Sequence, residues 1–145
     1  MFRVKWVVLL VFFVFSTIAN SQFLKRQKNQ YDENGKRKGL WISYWDDDEK
    51  ITMSMATYKN GHETGVSKEY HQNGNLRLKF RYHKHCMRVK YYDENRNLEG
   101  KGWSVLEYNK VDIHYYWHGK WKYYDENRKL TRTAYYQNGK EVPAE

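Results

Sequence analysis

The sequence predicts an all-β fold of consecutive antiparallel β-hairpin repeats, and three observations predict it. The first is internal repetition. A glycine falls five residues before a tyrosine at Gly39 and Tyr44, Gly65 and Tyr70, and Gly119 and Tyr124; a fourth copy has Met87 in the glycine place and ends at Tyr92. Self-similarity at a period of roughly 20–50 residues marks a repeat architecture. The second is turn chemistry. Asn-Gly recurs at Asn34-Gly35, Asn60-Gly61, Asn73-Gly74 and Asn138-Gly139, and it is the strongest short hairpin signal because a type I′ turn needs positive φ at both central residues. The third is alternation. Leu76-Arg-Leu78-Lys-Phe80-Arg-Tyr82, Trp103-Ser-Val105 and Val111-Asp-Ile113-His-Tyr115 each alternate between two side-chain classes, as a strand with one buried face does. No window beyond the N-terminus has helical periodicity.

The chain has 145 residues, enough for about one domain. Residues 1–21 read as an export signal helix: a basic start at Arg3 and Lys5, an apolar run from Trp6 to Ile18, and the small residues Ala19-Asn20-Ser21 before cleavage at Gln22. The run is shorter than the roughly 20 residues of a membrane span, so no stable span is expected after processing; the alternative is an uncleaved N-terminal anchor. The protein is therefore expected to be exported, to a periplasm or the extracellular space. Residues 22–30 are polar and basic and read as a linker. Tyr31-Asp-Glu-Asn-Gly35 opens the repeat domain, which runs over 31–142, and 143–145 form a tail holding the single proline, Pro143.

Within the repeats, the copies start at 39, 65, 87 and 119. Six residues after each tyrosine comes Leu76, Leu98 or Leu130, with Ile51 one residue late in the first copy. At 93–97 and 125–129 the turns read Asp-Glu-Asn-Arg-Asn and Asp-Glu-Asn-Arg-Lys, with asparagine expected to supply the left-handed residue in place of glycine. The long interval from Glu99 to Trp117 reads as an insertion or an extra hairpin.

The net charge is +9 and aromatic residues make up 18% of the chain. Loss of Arg3 and Lys5 with the signal lowers the charge to +7. Aliphatic residues are sparse behind the signal, so the core must come from Tyr and Trp rings, which bury large areas but keep polar tips that need partners. Cys86 is the only cysteine, which excludes an internal disulfide framework. The basic balance favours acidic surfaces, anionic glycans or phosphates; for an exported chain, nucleic acid is not an expected partner.

The pattern Tyr58-Lys-Asn-Gly61-His-Glu-Thr-Gly65, followed by Tyr70-His-Gln-Asn-Gly74-Asn-Leu76, resembles the MORN-variant repeat, labelled in some members a YwqK-type antitoxin repeat. Gly119-Lys-Trp121-Lys-Tyr-Tyr124 and Tyr136-Gln-Asn-Gly139-Lys match it as well. The resemblance covers about residues 31–142. It implies antiparallel hairpins stacked into an elongated, twisted sheet, and a non-catalytic interaction or scaffold module that includes toxin neutralisation among its roles. Gly39, Trp41, Tyr44, Gly65, Gly119 and Trp121 are the structural anchors of the repeat, whose tryptophan place holds Ser67 and Val89 in the middle copies.

No catalytic constellation is expected. The sequence carries no G-x-S-x-G elbow and no phosphate-cradling glycine loop. No metal or cofactor is expected either. His83 and His85, with Cys86 beside them, fall short of the four ligands of a closed zinc site, and Asp46-Asp-Asp-Glu49 lacks the spaced ligands of a calcium loop. The candidate binding residues are Lys68 and Tyr70, Lys90 and Tyr92, and Lys122 and Tyr124. Residues two apart share a strand face, so these pairs form a repeating Lys/Tyr face, with Lys68, Lys90 and Lys122 side by side on adjacent hairpins and Trp41, Val89 and Trp121 turned the other way. An acidic protein partner is the first expectation. A carbohydrate or cell-wall ligand is the alternative, since Gly119-Lys-Trp-Lys-Tyr-Tyr124 also looks like the aromatic core of cell-wall-binding repeats.

Overall fold

The computed structural model describes residues 27–108 and 113–144; the signal expected at 1–21 lies outside them. The chain forms ten strands: β1 (Gln30–Tyr31), β2 (Arg37–Tyr44), β3 (Thr52–Lys59), β4 (His62–Tyr70), β5 (Leu76–Tyr82), β6 (Cys86–Tyr92), β7 (Leu98–Tyr108), β8 (Ile113–Tyr124), β9 (Leu130–Gln137) and β10 (Lys140–Val142). They make one open sheet in sequence order, and every neighbouring pair is antiparallel. No helix occurs among the described residues. The interval from Glu99 to Trp117 holds no extra hairpin among its described residues: β7 and β8 are simply longer, at 11 and 12 residues. Lys28 and Asn29, expected in a linker, lie against β2. Asn29 Nδ2 donates to the Ile42 carbonyl and its Oδ1 accepts from the Ile42 amide, so one side-chain amide occupies both backbone groups of the outermost long strand.

Two kinds of turn recur. Asn60-Gly61 (φ 54° and 83°) and Asn138-Gly139 (φ 49° and 77°) are two-residue turns with positive φ at both positions. Each glycine amide also reaches the preceding hairpin, Gly61 donating to Arg37 O and Gly139 to Trp117 O, both at 3.0 Å. Four more are five-residue loops at 32–36, 71–75, 93–97 and 125–129, each closed by bonds between its first and fifth residues and its fourth and first, and β5 and β6 are joined by the three residues 83–85. Their length explains the six-residue step in the sequence, because Tyr70 pairs with Leu76, Tyr92 with Leu98 and Tyr124 with Leu130. The loop at 45–51, between β2 and β3, is longer, so Tyr44 meets Thr52.

The left-handed residue in two of these loops is not asparagine. It is Arg96 (φ 72°) and Arg128 (φ 62°), in the place of Gly35 and Gly74. The aspartate that opens each loop enforces this geometry. Asp93 Oδ1 accepts from the Asn95 and Asn97 amides, and Asp125 Oδ1 from those of Asn127 and Lys129. These bonds over-determine the loop, which is how a disfavoured φ persists.

The repeat glycines have a separate reason. Gly65 (φ 72°) and Gly119 (φ 65°) sit at register shifts, where β4 bulges against β3 and β8 against β7. Met87 occupies the same repeat place on β6, but its pairing with Tyr82 is regular and needs no left-handed residue; its side chain joins the core instead.

The core lies on one face. Met87, Val89, Leu106, Trp121, Ala134 and Tyr136 are buried together, with Phe80, Tyr91, Trp117 and Tyr123 packed against them. Trp121 is fully buried. It stacks on Trp117 at 4.3 Å and donates from Nε1 to the Trp103 carbonyl at 3.0 Å, which satisfies the one polar atom a buried indole carries.

Candidate binding face

The face opposite the core carries the tyrosines and lysines singled out in the sequence. Lys68, Lys90 and Lys122 lie on β4, β6 and β8, on one line across the sheet. They are not immediate neighbours, because the intervening strands contribute two more lysines to the same line. The register pairs Lys68 with Lys79, Lys79 with Lys90, Lys90 with Lys101, and Lys101 with Lys122. Five consecutive strands thus present five lysines directly opposite one another. Neighbouring strands are about 4.8 Å apart, so the ladder spans about 19 Å.

Two rows flank the ladder. On one side run Tyr70, Leu76, Tyr92, Leu98 and Tyr124, paired across the five-residue loops. On the other, Val66 pairs with Arg81, Arg81 with Arg88, Arg88 with Trp103, and Trp103 with His118. The lysines and the Tyr/Leu row are half-buried, because long lysine stems lie along apolar surface while their ammonium groups stay wet. Lys101 Nζ sits 4.9 Å from the Tyr124 ring centre. Burial pushes the Tyr92 hydroxyl above its usual pKa, and Lys101 partly offsets the rise.

Among the described residues, none of the five lysines is in an ion pair. The pairs that form are Lys28 with Glu49, Lys50 with Asp48, Arg77 with Glu69, and Arg132 with Glu141. Like charges directly opposite on a sheet are destabilising, so the ladder is an arrangement that folding alone does not favour. The alternation at Leu78-Lys-Phe80 and Gly100-Lys-Gly102 marks the face of Lys79 and Lys101, and the register sets them in the ladder.

The core face holds a groove of about 960 Å³ whose lining includes Tyr31, Trp41, Tyr58, Glu63, Tyr82 and Tyr115. Its geometry repeats that of the core. Arg37 stands four residues before Trp41 as Trp117 stands before Trp121, and its guanidinium lies 4.6 Å from the Trp41 ring centre where Trp117 stacks on Trp121. Tyr58 meets Trp41 edge-on as Tyr136 meets Trp121. A cation in place of an indole leaves this first copy open. In the groove, Glu63 accepts from Tyr58 Oη (2.8 Å), Tyr82 Oη (2.6 Å) and Ser67 Oγ (2.8 Å). Burial, then the Glu63 carboxylate, raises the pKa of Tyr82 well above that of free tyrosine.

The remaining sequence candidates take structural places. The His83 ring lies 5.4 Å from Trp103, and Cys86 pairs with Val105. Among the described residues, no three His, Cys, Asp or Glu side chains gather as a metal-ligating group. Asp46 accepts from the Ile51 and Lys50 amides, which holds its carboxyl below the usual range. No family model, curated protein or solved structure matches this chain.

Proposed function

We propose that this chain is an exported, non-catalytic interaction module of the MORN-variant kind, and that its lysine face docks an acidic partner protein. One observation carries the reading: five lysines in direct register, without an ion pair among the described residues, where cross-strand repulsion has to be overcome. Such a row concentrates positive potential along a line and steers an acidic surface into a fixed orientation. Read as an export signal, residues 1–21 support an encounter outside the cytoplasm, and toxin neutralisation is one form such docking would take.

The test compares the parent with a variant in which Lys68, Lys79, Lys90, Lys101 and Lys122 are all glutamate. Proteins of the native envelope that the parent retains at low salt, and the variant does not, are the partners. Equal retention by both proteins defeats the reading.

The groove favours a second reading, a carbohydrate ligand. Aromatic walls at Trp41, Tyr31 and Tyr82 with a hydroxyl-rich floor around Glu63 suit a sugar ring. Retention on purified cell wall, lost on Trp41→Ala and kept in the five-lysine variant, would establish that reading over the first.

A further inference from the structure

The lysine ladder does not stand alone, and its neighbour row narrows what fits it. We infer that the partner presents an acidic, amphipathic α-helix that lies across strands β4 to β8, its carboxylates on the ladder and its apolar stripe on the Tyr/Leu row. This inference rests on the protein-docking reading above and names the element that docks.

The spacing points to a helix. Successive ladder positions are about 4.8 Å apart, and acidic residues repeating once per helical turn climb about 5.4 Å. Over the ladder the mismatch is about 2–3 Å, within the reach of flexible lysine stems. About 13 helical residues cover the about 19 Å span. A strand laid across the sheet presents same-face side chains about 6.6–6.8 Å apart and falls out of step within two lysines.

The second row decides the chemistry. Tyr70, Leu76, Tyr92, Leu98 and Tyr124 run beside the lysines, the tyrosines two residues from Lys68, Lys90 and Lys122 and therefore about 7 Å away, the leucines three residues from Lys79 and Lys101 across the bulges that pair them with Tyr70 and Tyr92. A helix about 10–12 Å across with its side chains touches both rows at once. A polyanion without apolar surface leaves the Tyr/Leu row uncovered. A lipid surface is a plane and takes up side chains that project beyond the charges, whereas these five are half-buried in a line. A linear basic row beside a linear apolar row is complementary to an amphipathic cylinder.

The experiment titrates the protein with four probes. One is a synthetic helical peptide of about 15 residues with glutamate at every turn and leucine on the adjoining flank. The others are a scrambled peptide of the same composition, polyglutamate of equal charge, and vesicles of phosphatidylglycerol and phosphatidylcholine in equal parts. The amphipathic peptide is expected to bind at least about tenfold more tightly than the scrambled one, the difference one buried leucine supplies. Amide shifts are expected at Lys79, Lys90, Lys101 and Tyr92. Replacing Leu76 and Leu98 by serine should weaken the peptide and leave polyglutamate unaffected. Equal binding of the two peptides, tighter binding of polyglutamate or vesicles, or no binding by any probe overturns the helix. In each of those cases the protein-docking reading stands or falls separately, on whether the five-lysine variant loses the envelope proteins that the parent retains.

Discussion

Trp121 lies directly over Gly102, so close that a methyl group added at Gly102 would clash with the indole, its carbon 2.2 Å from Trp121 Cδ2. Gly100 stands in the same relation to Tyr91. On β7 these two glycines are the floor on which the rings of neighbouring strands rest. Gly102→Ala is therefore expected to cost about 1–3 kcal/mol through overpacking. Trp121→Ala, at a fully buried ring, is expected to cost about 3–5 kcal/mol. Urea unfolding followed by fluorescence checks both; a silent Trp121→Ala would place the core elsewhere.

Lys90 faces a lysine on each side, Lys79 and Lys101. Lys90→Glu turns two repulsive cross-strand pairs into attractive ones, each worth about 0.2–1 kcal/mol. The variant is expected to be more stable than the parent at low salt, and the gain should shrink in 1 M salt, where the Debye length is about 3 Å. A loss of stability would mean that the ammonium groups splay apart and do not sense one another.

On the docking proposed above, the same change is expected to have the opposite effect on binding. Glutamate at Lys68, Lys90 and Lys122 together should weaken partner binding far more than any one replacement, and the fold should persist, since surface substitutions usually cost within about 0.5 kcal/mol. Binding itself should weaken as salt rises. Affinity measured at two ionic strengths alongside thermal melting separates the two effects. A triple variant that unfolds would show that the lysine stems, not the indoles, hold the sheet.

Alkaline stability has a defined sign. Burial raises the Tyr91 hydroxyl to about 12, and Tyr82 and Tyr123 are also raised, chiefly by burial. Each keeps its proton in the folded state at a pH where the unfolded chain, titrating at about 10, has lost it. The folded state thus binds more protons, and stability is full below about pH 10 and falls as pH rises toward 12 and beyond. Tyr91→Phe, which removes an ionisable group without a hydroxyl partner among the described hydrogen bonds, should flatten part of that fall. Phenolate absorbance of the folded parent should show a step at about pH 12 that Tyr91→Phe removes.

Much of the fold is legible from Tyr70 and Leu76 alone, because a five-residue loop between paired strands forces a six-residue step. The Asn-Gly pairs mark turns for a sound reason, though only two of the four use positive φ at both positions. Arg96 and Arg128 were not legible, since nothing in an arginine favours the left-handed region; the signal lies three residues earlier, in Asp93 and Asp125. The candidate binding face was half legible. Counting from the repeat glycine samples every second strand, which finds Lys68, Lys90 and Lys122 and passes over Lys79 and Lys101. Placing those two requires the register across the bulges between Glu69 and Tyr70 and between Tyr91 and Tyr92. Trp41 and Trp121 look equivalent in sequence. Their environments differ because Arg37 stands where Trp117 stands, a difference four residues away from either ring.

Each strand of this sheet touches chiefly the strands beside it in the chain, as in other architectures whose stability is a sum of nearest-neighbour terms. The number of charges on the ladder is then a count of strands. Duplication of one hairpin, β5 with β6, would lengthen the row by two lysines and about 10 Å without altering any existing contact surface other than one junction. Loss of that hairpin would remove Lys79 and Lys90 and still leave Lys68 facing Lys101. The valence of the face is therefore heritable as a unit of chain length. On the docking proposed above, copying a segment would retune such a protein to a longer or shorter acidic helix, with no new side-chain chemistry to invent.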